Sequence, residues 1–93
     1  MEIFKIILTE KAEADFVRHK ESGNKIVLRK ITALLSELEK HPHIGTGNPE
    51  PLKGSRKGQW SRRITHKHRL IYEIHEEVVA VLLLAAWGHY DDK

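Results

Sequence analysis

Among the residues of this 93-residue chain whose types could carry out acid–base chemistry on a phosphodiester are Glu50, Arg69 and His89. Glu50 stands between Pro49 and Pro51. Each proline fixes its own φ and biases the residue before it toward extended backbone, so the carboxylate is presented rigidly. His89 carries an imidazole that titrates near neutrality and can hand over a proton, and neighbouring phosphates would favour its charged form. Arg69 stays charged at any working pH, and its planar guanidinium can hold two nonbridging oxygens at once. Cutting RNA without a metal requires the 2′-hydroxyl to attack the adjacent phosphorus. That step needs a base, a proton donor for the leaving 5′-oxygen and cations for the phosphorane charge. The sequence supplies residue types for all three. Each residue also has a plainer reading, as a solvent-facing turn carboxylate, a structural imidazole or a general phosphate attractor.

Charge distribution adds to the case. Residues 53–69 hold seven of the sixteen basic residues and no acidic one, so the remainder, nine basic against thirteen acidic, carries −4 within a net charge of +3. A basic block in an otherwise mildly acidic chain points to a localised patch for phosphates or an acidic partner; the plainer alternative is a solvated loop. Lys53 and Arg63 lie in that block and are expected to support Arg69. Several classes are set aside. Without cysteine there is no disulfide, thiol nucleophile or cysteine-based metal site. The pairs His41/His43 and His66/His68 have no nearby carboxylates at convincing ligand spacing, so no metal is expected. Gly45-Thr46-Gly47 has neither the length nor the following helix of a nucleotide loop, and no cofactor is expected. Met1 to Leu8 mixes Glu2 and Lys5 among apolar residues, and the longest apolar run, Val78 to Trp87, is about half a membrane span. A soluble, cytoplasmic chain forming one domain, 1–93, is expected.

The elements that must position these residues follow from periodicity and punctuation. Ile3 to Leu8 reads as a strand, and Thr9 caps a helix from Glu10 to about His19. Ser22-Gly23-Asn24 marks a turn. A second helix from Lys25 to Lys40 carries Val27, Ile31, Leu34, Leu35 and Leu38 on one face, and Pro42 ends it. Residues 41–58 contain all three prolines and four of the six glycines and read as a structured loop. Strands follow at Gln59 to Thr65, Arg69 to His75 and Val78 to Trp87, with Glu76-Glu77 as a tight turn. This order predicts an α+β fold, with an N-terminal strand and a helical hairpin packed on one face of a mainly antiparallel four-stranded sheet. The apolar last strand is expected to be interior and the opposite sheet face open. Leu70, Tyr72 and Ile74 should face the helices, with Arg69, Ile71 and Glu73 on the other side. A three-residue hairpin loop at 66–68 would set Thr65 opposite Arg69 and Arg63 opposite Ile71, leaving Arg63 and Arg69 on the open face. Arg62 should then point the other way, in a structural role. Trp60 and Trp87 are read as core or interface residues.

Residues 47–53 (GNPEPLK), 60–65 (WSRRIT), 68–72 (HRLIY) and the terminal His89-Tyr90 resemble the YoeB/Txe toxins of the RelE/ParE superfamily. The resemblance spans nearly the whole chain in element order. It implies a RelE-like fold and the toxin of a type II toxin-antitoxin module, one that cleaves mRNA in the ribosomal decoding site and inhibits translation. By the same resemblance Glu50 matches the general base, His89 the C-terminal histidine expected to be the general acid, and Tyr90 a residue that stacks on a base or bonds the phosphate. Tyr90 has a second reading as a packing residue. Implied partners are the ribosome, mRNA, a cognate YefM-like antitoxin whose acidic segment folds over the basic face, and a second copy of the chain in a homodimer. The alternative is a non-catalytic toxin of this fold that binds ribosome or gyrase. A pure binder has no need of a base, an anion stabiliser and an acid together. Two departures from the family pattern stand out: the connector 54–58 lacks an apolar residue, and the tail Asp91-Asp92-Lys93 would raise the His89 pKa or stay disordered.

Overall fold

Two short polar side chains start the helices. Thr9 Oγ1 accepts from the Ala12 amide at 3.2 Å and opens α1 (Glu10–Ser22), whose first turn carries Glu10 and Glu13 against the helix dipole. Asn24 Oδ1 accepts from the amides of Ile26 and Val27, at 3.1 Å each, and opens α2 (Lys25–Lys40). Between them Gly23 sits at φ 73, a left-handed cap that only glycine adopts without cost. α1 therefore runs on to Ser22, three residues past the expected His19, because nothing before Gly23 stops it. The computed structural model describes residues 3–88; His89, Tyr90 and the 91–93 tail lie outside the described residues.

The strands are β1 (Lys5–Leu8), β2 (Glu50–Pro51), β3 (Trp60–Arg63), β4 (Arg69–His75) and β5 (Ala80–Ala85). They form one sheet in the order β1-β5-β4-β3-β2, with β1 parallel to β5 and every other pair antiparallel. The expected interior position of the last apolar strand is met. Among the described residues the sheet has five strands, not four. The fifth, β2, lies within the presumed loop, where Glu50 pairs with Ser61 and Pro51 with Trp60. It escapes sequence patterning because two residues cannot show a period. β5 starts at Ala80, since Val78 is exposed on a 3₁₀ turn and Val79 turns at φ 52.

Leu34, Leu38, Leu70, Tyr72, Val81 and Leu83 are fully buried between the helices and the sheet, with Val27 and Ile31 beside them. Truncating one of these leucines to alanine costs roughly 2–5 kcal/mol. The alternation on β4 is as expected for Leu70 and Tyr72, and Ile74 packs against the core from its rim. Ile71 is nevertheless buried on the opposite face, so that face is partly covered and not wholly open. A bulge interrupts the β4–β5 ladder: Ile71 pairs with Ala85 but Tyr72 with Leu83, leaving Leu84 as the extra residue. The inserted residue shifts the alternation on β5, so that Ala86 reaches the core side facing α1.

Candidate functional site

The segment ahead of Glu50 is laid against β3 by its backbone. The Arg63 amide donates to the Gly47 carbonyl at 2.7 Å. Gly47 sits at φ 86, and a Cβ there would lie 2.8 Å from the Arg63 carbonyl oxygen, so this approach requires glycine. Asn48 follows at φ 54, then Pro49, and the chain is extended when it reaches Glu50. Beyond Pro51, the Leu52 amide donates to the Gln59 carbonyl at 2.8 Å and the Leu52 side chain is buried. Glu50 is thus fixed on both sides of a two-residue strand.

Arg63 and Arg69 face each other directly across β3 and β4. The expected register, with Arg63 opposite Ile71, is off by two residues. Ile64 is buried in the core, the amides of Ile64 and Thr65 both donate to the His68 carbonyl, and Thr65 Oγ1 accepts from the amides of Lys67 and His68. The turn therefore spans 64–68. A slip of two preserves side-chain parity, so the expected shared face of Arg63 and Arg69 survives the error. The Arg63 amide points to Gly47 and the Arg69 amide to the Gly88 carbonyl, so the two arginines form a non-hydrogen-bonded pair, the closer type, with Cα atoms about 4.5 Å apart. Like charges so placed repel, and an anion between them would relieve that.

Glu50 shares this face through its partner Ser61, and its carboxylate lies 3.9 Å from a guanidinium nitrogen of Arg69. The structure therefore brings Glu50, Arg63 and Arg69 together. Lys53 is exposed just past β2, and its carbonyl begins the 3₁₀ turn 54–56. The connector 54–58 closes by backbone bonds: the amides of Arg56, Lys57 and Gln59 donate to the carbonyls of Lys53, Gly54 and Arg56. An open cleft of about 310 Å³ lies alongside, lined by Arg56, Gln59, Ile71, Leu84, Trp87 and Gly88 among others. Its last wall residue, Gly88, is bonded to the Arg69 backbone and immediately precedes His89.

Arg62 points the other way, as its parity demands. It is fully buried; Nε donates to Tyr72 Oη at 3.2 Å, Nη1 to Glu37 Oε1 at 3.0 Å, and Nη2 to the carbonyls of His41 and Ile44 at 2.6 and 2.7 Å. Hydrogen bonds from Thr46, together with Arg62, hold the Glu37 carboxyl below its ordinary pKa, although partial burial opposes this. Burial pushes the Tyr72 phenol up. The network ties residues 41–46 to α2 and so fixes the start of the loop that delivers Glu50.

Sequence reasoning missed two groups of residues. Ser61 Oγ is buried beside Glu50 and Ile71 with no hydrogen-bond partner among the described residues. Asp15, His19 and His68 are buried polar groups that meet the end of β5. The only sequence signal for the second group is that Ala12, Asp15 and His19 share one face of α1. His66 is exposed while His68 is buried, and no group of three potential metal ligands occurs among the described residues. No described helix is long and apolar enough to cross a membrane.

Residues 8–90 match the family described as YoeB-like toxin of bacterial type II toxin-antitoxin system. The chain belongs to this YoeB family. Toxin YoeB of Escherichia coli K12 is 38% identical over 86 residues, which cover 92% of this chain and 99% of that protein. Among solved structures, a YoeB/ParE toxin from Agrobacterium tumefaciens is 31% identical with a TM-score of 0.84, over 94% of this chain and 100% of that one. YoeB from Staphylococcus aureus, solved as a dimer and as a YoeB-YefM complex, has a TM-score of 0.78 in both forms at 30% and 31% identity, over 94% of this chain and 98% of that one. The toxin-family fold implied by the motif resemblance is thereby established, with one more strand among the described residues than expected.

Proposed function

We propose that this YoeB-family toxin is a ribosome-dependent, metal-independent mRNA endoribonuclease. The observation that carries the reading is the Glu50 carboxylate 3.9 Å from the Arg69 guanidinium, on a face where Arg63 stands directly across from Arg69. Glu50 takes the proton of the 2′-hydroxyl as its oxygen attacks the adjacent phosphorus. Arg69 neutralises the charge that builds on the nonbridging oxygens, supported by Arg63 and Lys53. His89 donates a proton to the departing 5′-oxygen, and Tyr90 holds the base or phosphate. The products are a 2′,3′-cyclic phosphate and a 5′-hydroxyl. Removing the anion stabiliser, Arg69→Ala, slows cleavage about 10²- to 10³-fold.

The partner reading follows from the same face. A cationic cleft that cuts mRNA must be silenced in its host cytoplasm, and an acidic segment of a YefM-like antitoxin is the proposed cover, by analogy with the S. aureus complex. A homodimer is proposed on the analogy of the S. aureus dimer.

Primer extension on a defined mRNA in a purified translation reaction tests the reading, with the wild-type chain set against Glu50→Ala, Arg69→Ala and His89→Gln. Discrete ribosome-dependent cuts that vanish in the variants are expected. Arrested translation on intact mRNA would replace this reading with ribosome occupancy, and intact mRNA with normal translation would point to another target such as gyrase.

A further inference from the structure

Regular strand pairing ends at Ala85, and side chains take over. The Ala86 amide donates to Asp15 Oδ2 at 2.9 Å and the Ala86 carbonyl accepts from His19 Nε2 at 2.7 Å. Two residues on, the Gly88 carbonyl accepts from the Arg69 amide at 2.9 Å and the Gly88 amide donates to His68 Nδ1 at 2.9 Å. All four backbone groups of Ala86 and Gly88 are therefore engaged. Trp87 between them packs on the rings of His19 and His68, at 4.6 and 4.4 Å between centroids, under the Arg18 guanidinium at 3.9 Å. These contacts all fall on three residues just past the end of an interior strand, and the next residue in the chain is His89.

We propose that His68 is a positioning residue, whose unprotonated Nδ1 accepts the Gly88 amide and fixes the point from which the chain delivers His89. This inference rests on the assignment of His89 as the acid. The chemistry is specific to one protonation state, since an imidazolium carries hydrogen on both nitrogens and cannot accept from Gly88. The surroundings favour the neutral ring. Burial foremost, then the neighbouring His19, Lys67 and Arg18, push the His68 pKa below 6.5, while Asp15, itself paired with Lys11, opposes them. A histidine whose folded pKa is lowered stabilises the fold above its unfolded value, and that contribution is lost as pH falls through the folded one. The clamp holds at neutral pH and opens in acid.

Three substitutions separate the acceptor from the bulk of the ring. His68→Asn keeps an oxygen near the Nδ1 position and cannot be protonated, His68→Gln places its amide one bond farther out, and His68→Ala removes it. The protection of the Gly88 amide against hydrogen exchange is read by NMR on the whole chain at about pH 7.5 and about pH 4.5, the lower point set well below the unperturbed histidine pKa because burial lowers that of His68. Ribosome-dependent cleavage is measured alongside. Protection that is present at the higher pH and lost at the lower in the wild type, kept at both by Asn and absent at both in Gln and Ala, is the expected pattern. Cleavage should fall about 100-fold in kcat for Gln and Ala, with KM unchanged, and stay near wild type for Asn. Equal Gly88 protection in the wild type and in Ala would overturn the clamp. Loss of protection without loss of cleavage would overturn its positioning role. A wild-type chain that shows the expected Gly88 pattern but never cuts mRNA would support the clamp and sink the endoribonuclease reading.

Discussion

Arg62 and Arg63 are neighbours of identical type, yet one is entirely inside the protein and the other is exposed. The pleat of β3 puts them on opposite faces. On the inner side Arg62 meets a preassembled set of acceptors, the Glu37 carboxylate, the Tyr72 hydroxyl and two loop carbonyls, which together offset its desolvation. On the outer side Arg63 faces a second cation, Arg69, whose guanidinium lies 3.9 Å from the Glu50 carboxylate reaching over from β2. The inner arginine is enclosed by acceptors, whereas the outer pair stands on an accessible face with the Glu50 carboxylate beside Arg69. Structure and function thus differ here by one residue of register.

That contrast can be broken most forcefully from the inside. Arg62→Ala strips donors from Glu37, His41 and Ile44 and should cost about 3–5 kcal/mol in urea unfolding, whereas a loss under about 1 kcal/mol would mean that the 41–46 loop is held by other contacts. Next in size is Gly47→Ala. It forces a Cβ into the Arg63 carbonyl at a left-handed φ; a loss of about 1–2 kcal/mol is expected. Cleavage should fall with it, because the same displacement moves Glu50. Unchanged cleavage would detach the loop geometry from the carboxylate's role.

Acid titration sharpens the inner half of the comparison. The folded pKa of Glu37 lies below 4.5, chiefly through Thr46 and further through Arg62. Its stabilising contribution is therefore complete above 4.5 and lost as pH falls through the folded value. Melting temperatures followed between about pH 6 and pH 3 should decline less steeply in Glu37→Gln than in the wild type, and parallel curves would contradict the network. The smallest effect on stability belongs to Arg63→Ala, within about 0.5 kcal/mol of wild type. Its signature is instead a weaker affinity for RNA and a salt dependence reduced by about one counterion. A large fall in stability there would mean that Arg63 is structural like its neighbour.

The helices were legible because their signals are local. Thr9, Gly23 and Asn24 act within one turn of themselves, and α2 begins and ends where its cap and Pro42 predict. The shared face of Arg63 and Arg69 was legible through parity alone, which survives a two-residue error in the turn, whereas their direct pairing was not. β2 was not, because its pairing with β3 depends on a backbone approach at Gly47 that has no periodic trace. The polar face of α1 was equally hidden. Asp15 and His19 look solvent-directed in a charged helix until the bulge at Leu84 turns Ala86 toward them.

Composition, periodicity and motif order by themselves determined the α+β class, the start of α1 and both ends of α2, the basic block and the residue types able to act on a phosphodiester, since each rests on interactions over a few residues. The tertiary structure alone decided that Glu50 lies 3.9 Å from Arg69 across nineteen positions of sequence, that Arg62 is enclosed, and that His68 holds the strand end before His89. Those outcomes depend on register, a bulge and the matching of buried donors to acceptors. Such quantities exist only when distant segments meet, because the energy that selects them belongs to pairs of segments and not to either one.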